Sequence, residues 1–164
     1  MKATLAIAAA LLAAPVAAQD TVLRNKIPGS DFPIAQSVEV KAGTDLVFVS
    51  GAVPRPQEPD GDPADPATWG DTEAQTISVL QEIERRLERL GLSLGDVVMM
   101  RAYLVGADAT GRRMDFAGFM RGYTQFFGTE AQPNLPARSA IQIAGLVRPQ
   151  WLVEIDVVAA RPHD

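Results

Sequence analysis

The sequence predicts one α+β domain, a single mixed sheet with two helices packed on one face, in the order ββαβαββ. Three observations carry this. Short strand-like runs stand at both ends of the chain and once between two longer segments. Those two segments repeat apolar residues every three or four positions, the period of a half-buried helix. The 164 residues show no internal repeat and no second domain.

The first elements are Val38 to Val40 and Leu46 to Ser50, with the turn signal Lys41-Ala42-Gly43-Thr44 between them. Gly43 is free to take positive φ, and the pair reads as a hairpin. Residues 19–31 are polar and mixed, and read as a short N-terminal arm. Pro54, Pro56, Pro59, Pro63 and Pro66 then exclude regular structure over residues 54–70, which makes a long loop. Trp69 reads as an anchor of that loop to the body, with packing over a neighbouring cavity as the alternative. Asp60-Gly61-Asp62 lacks the ligand spacing of a calcium loop and reads as a solvated turn.

The first helix follows, with Asp71 or Thr72 as cap and Thr72 with Gln75 as a capping box. Ile77, Leu80, Ile83, Leu87 and Leu90 form its apolar stripe, and Gly91 ends it. Glu82, Arg85, Arg86 and Glu88 read as a solvated face with weak ion pairs. Val97 to Val105 is a strand and residues 106–113 a loop. A second helix from Asp115 carries Phe116, Phe119, Met120, Tyr123 and Phe126 on one side. Ser139 to Ala144 and Leu152 to Ala159 are the last strands. Helical crossovers between strands keep both helices on one side of the sheet.

Composition removes several functions. There is no cysteine, hence no disulfide, thiol nucleophile or thiolate metal site. The only histidine, His163, stands at the C-terminus, so neither a His-based triad nor a zinc site is expected. The net charge of −5, without a cluster of four or more Lys or Arg, argues against a nucleic-acid surface. No P-loop, no Gly-x-Gly-x-x-Gly and no Gly-x-Ser-x-Gly occurs, so no nucleotide or flavin cofactor is implied.

The first eighteen residues have the layout of a secretory signal peptide: Lys2, an apolar run from Ala3 to Ala14, Pro15, then small residues up to Ala18. The run is short for a transmembrane span, which takes about 20 residues. Cleavage after Ala18 would send the chain to the periplasm or medium, with no lasting membrane insertion.

Alternation along the last two strands locates candidate chemistry. Val153, Ile155, Val157 and Ala159 share one face, and Leu152, Glu154, Asp156 and Val158 the other. Ser139, Ile141 and Ile143 fall together, opposite Arg138, Ala140 and Gln142. If the all-apolar sets pack under the helices, the second face presents Arg138, Gln142, Glu154 and Asp156 among apolar neighbours. Such a face wants another subunit. Arg138 suits a bidentate carboxylate. Glu154 suits an acid or base. A plain Arg138–Glu154 ion pair fits the same pattern.

Several motifs stand in a specific order: Ser50-Gly51-Ala52-Val53-Pro54; Gln75 with Leu90-Gly91-Leu92 and Asp96-Val97-Val98; Tyr123 with Phe126-Phe127; Leu135-Pro136-Ala137-Arg138-Ser139; and Val153-Glu154-Ile155-Asp156. Over residues 32–160 this resembles the Rid (YjgF) family. The resemblance implies a chorismate-mutase-like subunit, a homotrimer with clefts between neighbours, and cofactor-free hydrolysis of 2-imino or 2-enamino acids to 2-keto acids and ammonia. It implies that Arg138 binds the substrate carboxylate. Ser50, Gly51 and Ala140 would line the site, with backbone groups around Gly51 and Ala140 orienting the imine. Glu154 would assist proton transfer. The chain departs from the family pattern at Gln36 or Ser37, Met120 and Ala140, which alters the pocket wall but not the clamp. A non-catalytic protein binding a small carboxylate is the second expectation. A nuclease or a holdase, both ascribed to family members, is the third.

Overall fold

The structure is a computed structural model and describes residues 21–161. The expected signal peptide and His163 lie outside the described residues. The elements are β1 (Val22–Lys26), β2 (Ala35–Val40), β3 (Asp45–Ala52), α1 (Thr72–Glu88), β4 (Val97–Val105), α2 (Phe116–Tyr123), β5 (Ala137–Ile143) and β6 (Val153–Arg161). The strands form one mixed sheet in the order β1-β2-β5-β4-β6-β3. β4 and β5 run parallel, while β6 is antiparallel to β4 and β3.

The apolar periodicities place both helices on one face. Leu80, Ile83 and Leu87 of α1 and Phe119 and Tyr123 of α2 pack on Met100, Ala102 and Leu104 of β4 and on Val153, Ile155 and Val157 of β6. Leu80, Ile83, Phe119 and Ile155 are fully buried. Each such side chain contributes roughly 1.5–3 kcal/mol relative to exposure. Asp71 caps α1 by accepting from Ala74 N, and Gly91 closes it at φ 69°. Asp115 caps α2 through Gly118 N.

The N-terminal expectations need correction. Residues 19–31 contain β1, which pairs antiparallel with β2. The turn at Lys41–Thr44 exists, with Thr44 N donating to Lys41 O, but β2 and β3 are not partners. β2 touches β5 through the single pair Ala35–Ala137, and β3 pairs with β6. The reason is packing. The β1–β2 ribbon lies over the second face, where Val22, Val38 and Val40 cover Val98, Val158 and Ala160. Arg24 fastens it by donating to the carbonyls of Gly95, Val97 and Leu135, each at 2.8 Å.

Two further expectations differ on α1. Gln75 makes no capping box. Its fully buried amide donates to Gly70 O and Gln150 O and accepts from Leu152 N, so it ties the proline loop to the start of β6. Glu82 is not solvated either. It is 7% exposed and binds Arg55, Arg85 and Arg86 at 2.7–3.0 Å. The proline loop holds one short 3-10 turn, Pro66–Thr68, and Trp69 anchors it from a buried position, its indole donating to Pro63 O.

Candidate functional site

Two clusters hold the residues singled out by sequence, and they lie on opposite faces of the sheet. The first surrounds Arg138. In β5, Arg138, Ala140 and Gln142 stand beside Met100, Ala102 and Leu104 of β4, all three of which are core residues. Arg138 therefore points under α2, not onto the second face as expected. The aromatic side of α2 fills the space over β5, so the inward positions there are small or polar. The isoleucine Ile141 turns out instead and is 49% exposed.

The Arg138 guanidinium is ringed by aromatic side chains. Its carbon lies 4.2 Å from the ring centre of Tyr123, 5.0 Å from Phe119, 5.7 Å from Phe32 and 6.0 Å from Phe116. Nη2 donates to Met120 Sδ at 3.3 Å, and a thioether is a weak acceptor. Nη1 is buried and has no hydrogen-bond partner. Among the described residues no carboxylate pairs with this arginine. Burial lowers the Arg138 pKa from its ordinary value, with Tyr123 opposing the shift. Burial likewise pushes the Tyr123 phenol up to about 12, so it stays protonated and donates to Pro33 O at 2.9 Å. A desolvated guanidinium with an idle donor is a site for an anion with planar oxygens. It offers nothing to a metal cation.

The second cluster joins β3 and β6 on the other face. Gly51 lies against Glu154, so close that a Cβ at position 51 would meet Glu154 Oε1 at 2.1 Å. Arg86 Nη1 donates to Ser50 O at 3.0 Å and to Gly51 O at 3.4 Å, which fixes this strand end to α1. Ser50, Gly51 and Glu154 thus stand together at this strand end, apart from Arg138 and Ala140. Asp156, on the same face, is held by Arg101 at 2.8 Å and by the Tyr103 hydroxyl at 3.1 Å.

Arg138 and Glu154 do not pair. β4 stands between their strands, and Arg138 is level with Met100 and Val157, three residues from Glu154. Strand spacing and rise put their Cα atoms about 14 Å apart. Ala140 stays with the first cluster and packs on the main core. Sequence reasoning missed Phe32, which sits in the β1–β2 connection outside any periodic segment. The stripe Phe116, Phe119, Met120 and Tyr123 was legible as a helix face, but not as the wall around an arginine.

A mixed sheet backed by two helices, with a half-buried guanidinium under the second helix that no carboxylate among the described residues pairs, makes a small α+β protein with a candidate anion site. The chain belongs to the Endoribonuclease L-PSP family, which comprises the YjgF/Rid proteins, and the family's profile matches residues 13–161. It is 30% identical over 146 residues to a RutC family protein of Pyrococcus abyssi, covering 87% of this chain and 97% of that one. It is 28% identical over 141 residues to the 2-iminobutanoate/2-iminopropanoate deaminase of Salmonella typhimurium, covering 86% and 97%. The crystal structure of Escherichia coli TdcF with bound serine is similar at a TM-score of 0.54 and 27% identity, covering 87% of this chain and 99% of that one.

Proposed function

We propose that this protein hydrolyses 2-imino or 2-enamino acids to 2-keto acids and ammonia, with Arg138 anchoring the substrate carboxylate. The observation that carries the reading is the half-buried Arg138 guanidinium, whose buried Nη1 is unsatisfied and which has no acidic partner among the described residues. Leaving such a donor unpaired costs roughly 1–3 kcal/mol, which a bound carboxylate would restore. A Salmonella relative named as a 2-iminobutanoate/2-iminopropanoate deaminase and a TdcF structure with bound serine support a small amino-acid-like ligand.

The reaction balances without a cofactor. Water adds to the electrophilic imine carbon, the carbon–nitrogen bond breaks, the water oxygen stays on carbon as the keto oxygen, and the two water protons leave with the imine nitrogen as ammonia. Arg138 holds the carboxylate, and Glu154 relays a proton from the attacking water toward the departing nitrogen. Since the two residues face opposite sides of one protomer, the full site needs a second copy that brings its Glu154 and Gly51 beside Arg138. A homotrimer fits this need. The second face supports assembly, for Phe48 is 74% exposed there and Leu46, Met99 and Ile141 are 43–49% exposed.

The test generates a 2-imino acid with an amino-acid oxidase and follows keto-acid release. Acceleration by the wild type and none by Arg138→Ala is expected, and no acceleration across several imines would sink the reading. The separation of Arg138 from Glu154 favours one second reading, a binding protein for a small carboxylate. Thermal stabilisation by a 2-keto acid without turnover would identify it. We also propose export, with cleavage after Ala18.

A further inference from the structure

We infer that this site selects 2-imino acids with bulky apolar side chains, aromatic or long aliphatic, and that Phe32 and Phe116 impose the choice. The inference rests on Arg138 as carboxylate anchor. It adds what the rest of the substrate must look like.

The argument starts from what stands around the clamp. Phe119 and Tyr123 are fully buried and form its floor. Phe32 and Phe116 form its rim, stacked with centroids 6.5 Å apart and planes 20° apart. Phe116 is half-buried at the first turn of α2, and Phe32 is 40% exposed. The loop that carries Phe32 is shaped by local bonds. Ser30 N donates to Ile27 O, Phe32 N to Ser30 Oγ, and Ile34 N to Phe32 O. The phenyl ring is thus presented over Arg138 by a folded turn.

In a 2-imino acid the side chain is attached to the carbon next to the carboxylate. Once the carboxylate meets the guanidinium, that side chain must lie against the rim rings. A second carboxylate would meet the negative faces of phenyl rings, with no further cation among these residues. An apolar side chain would instead cover Phe32 and Phe116. Discrimination of about 10–200-fold is what a hydrophobic pocket achieves for a single methylene. A phenyl against a methyl substituent should exceed the lower bound.

The experiment compares imines generated from phenylalanine, leucine, alanine and aspartate, with keto-acid release measured for full-length wild type, Phe32→Ala and Phe116→Ala. The wild type should favour the phenylalanine-derived imine over the alanine-derived one at least tenfold in kcat/KM and leave 2-iminosuccinate nearly untouched. Either variant should shrink the phenylalanine-to-alanine ratio to within threefold while circular dichroism shows the fold retained. If one variant fails to fold, the other decides. Equal turnover of all four imines by the wild type, or an unchanged ratio in a folded variant, overturns the selectivity and leaves Arg138 as anchor. No turnover of any imine overturns both.

Discussion

The Arg138 guanidinium lies 4.2 Å from the centre of the Tyr123 ring, while the Tyr123 hydroxyl donates away from it, to Pro33 O at 2.9 Å. Tyr123 therefore gives the cation a π face and gives the β1–β2 connection a tether. Tyr123→Phe keeps the face and removes the tether. We expect a loss of about 1 kcal/mol in urea unfolding, the ordinary net value of one hydrogen bond, and weaker ligand affinity because the turn bearing Phe32 loosens.

Arg138→Met should separate stability from binding. It removes a desolvated charge with an idle donor and puts an apolar chain among four rings. The melting temperature should stay level or rise, while stabilisation by a 2-keto acid disappears. A fall of several degrees with ligand response intact would contradict this assignment. Arg138→Lys should also lose most of the response, since an ammonium offers no planar fork.

Glu82 supplies a pH signature. Burial opposes its ionisation, yet the guanidiniums of Arg85, Arg86 and Arg55 bring its pKa down from 4.5 to about 2. A carboxyl whose pKa is lower folded than unfolded stabilises fully above the unfolded value. That stability fades as pH falls from about 4.5 toward 2. In thermal melts Glu82→Gln should be less stable than wild type at pH 7, by about 2 kcal/mol for the charged hydrogen bonds lost. The two curves should converge near pH 2.

Gly51→Ala tests the second cluster. The new methyl would meet Glu154 Oε1 at 2.1 Å, and the flexible carboxylate must swing away. Imine hydrolysis should fall at least tenfold with the melting temperature changed by only a few degrees.

Expression of the full chain in a bacterium with intact export should give a product that begins at Gln19 and fractionates with the periplasm. Intact-mass analysis checks this. A soluble cytoplasmic product retaining Met1–Ala18 would refute the signal-peptide reading.

The sequence made much of this legible. Leu80, Ile83 and Leu87 of α1, Phe119 and Tyr123 of α2, the end at Gly91, the start of α2 near Asp115 and the alternation of β6 rest on local periods and turn chemistry and stand where that chemistry puts them. Leu90, expected in the α1 stripe, lies past the helix end and is 44% exposed, and Phe126 lies past the end of α2. The face of β5 was misread because apolarity alone assigned Ile141 inward. The crowded aromatic face of α2 reverses that choice, and it is a tertiary fact. The β2–β3 hairpin failed for a similar reason. Its turn is real, but Val38 and Val40 lie over Val98 and Val158 instead of pairing with β3. The ion cluster at Glu82 depends on Arg55, 27 residues away, which no helical spacing reveals.

The N-terminal ribbon has a consequence for the order of assembly. β2 finds its sheet neighbour in β5 and β3 finds its own in β6, so both await segments made more than a hundred residues later. Contacts this distant form late and slow the search for the native state. A chain emerging from its N-terminus holds no finished sheet until the final strand is free. The last strand therefore completes two separate parts of the sheet at once, the β3 edge and the seam with β4.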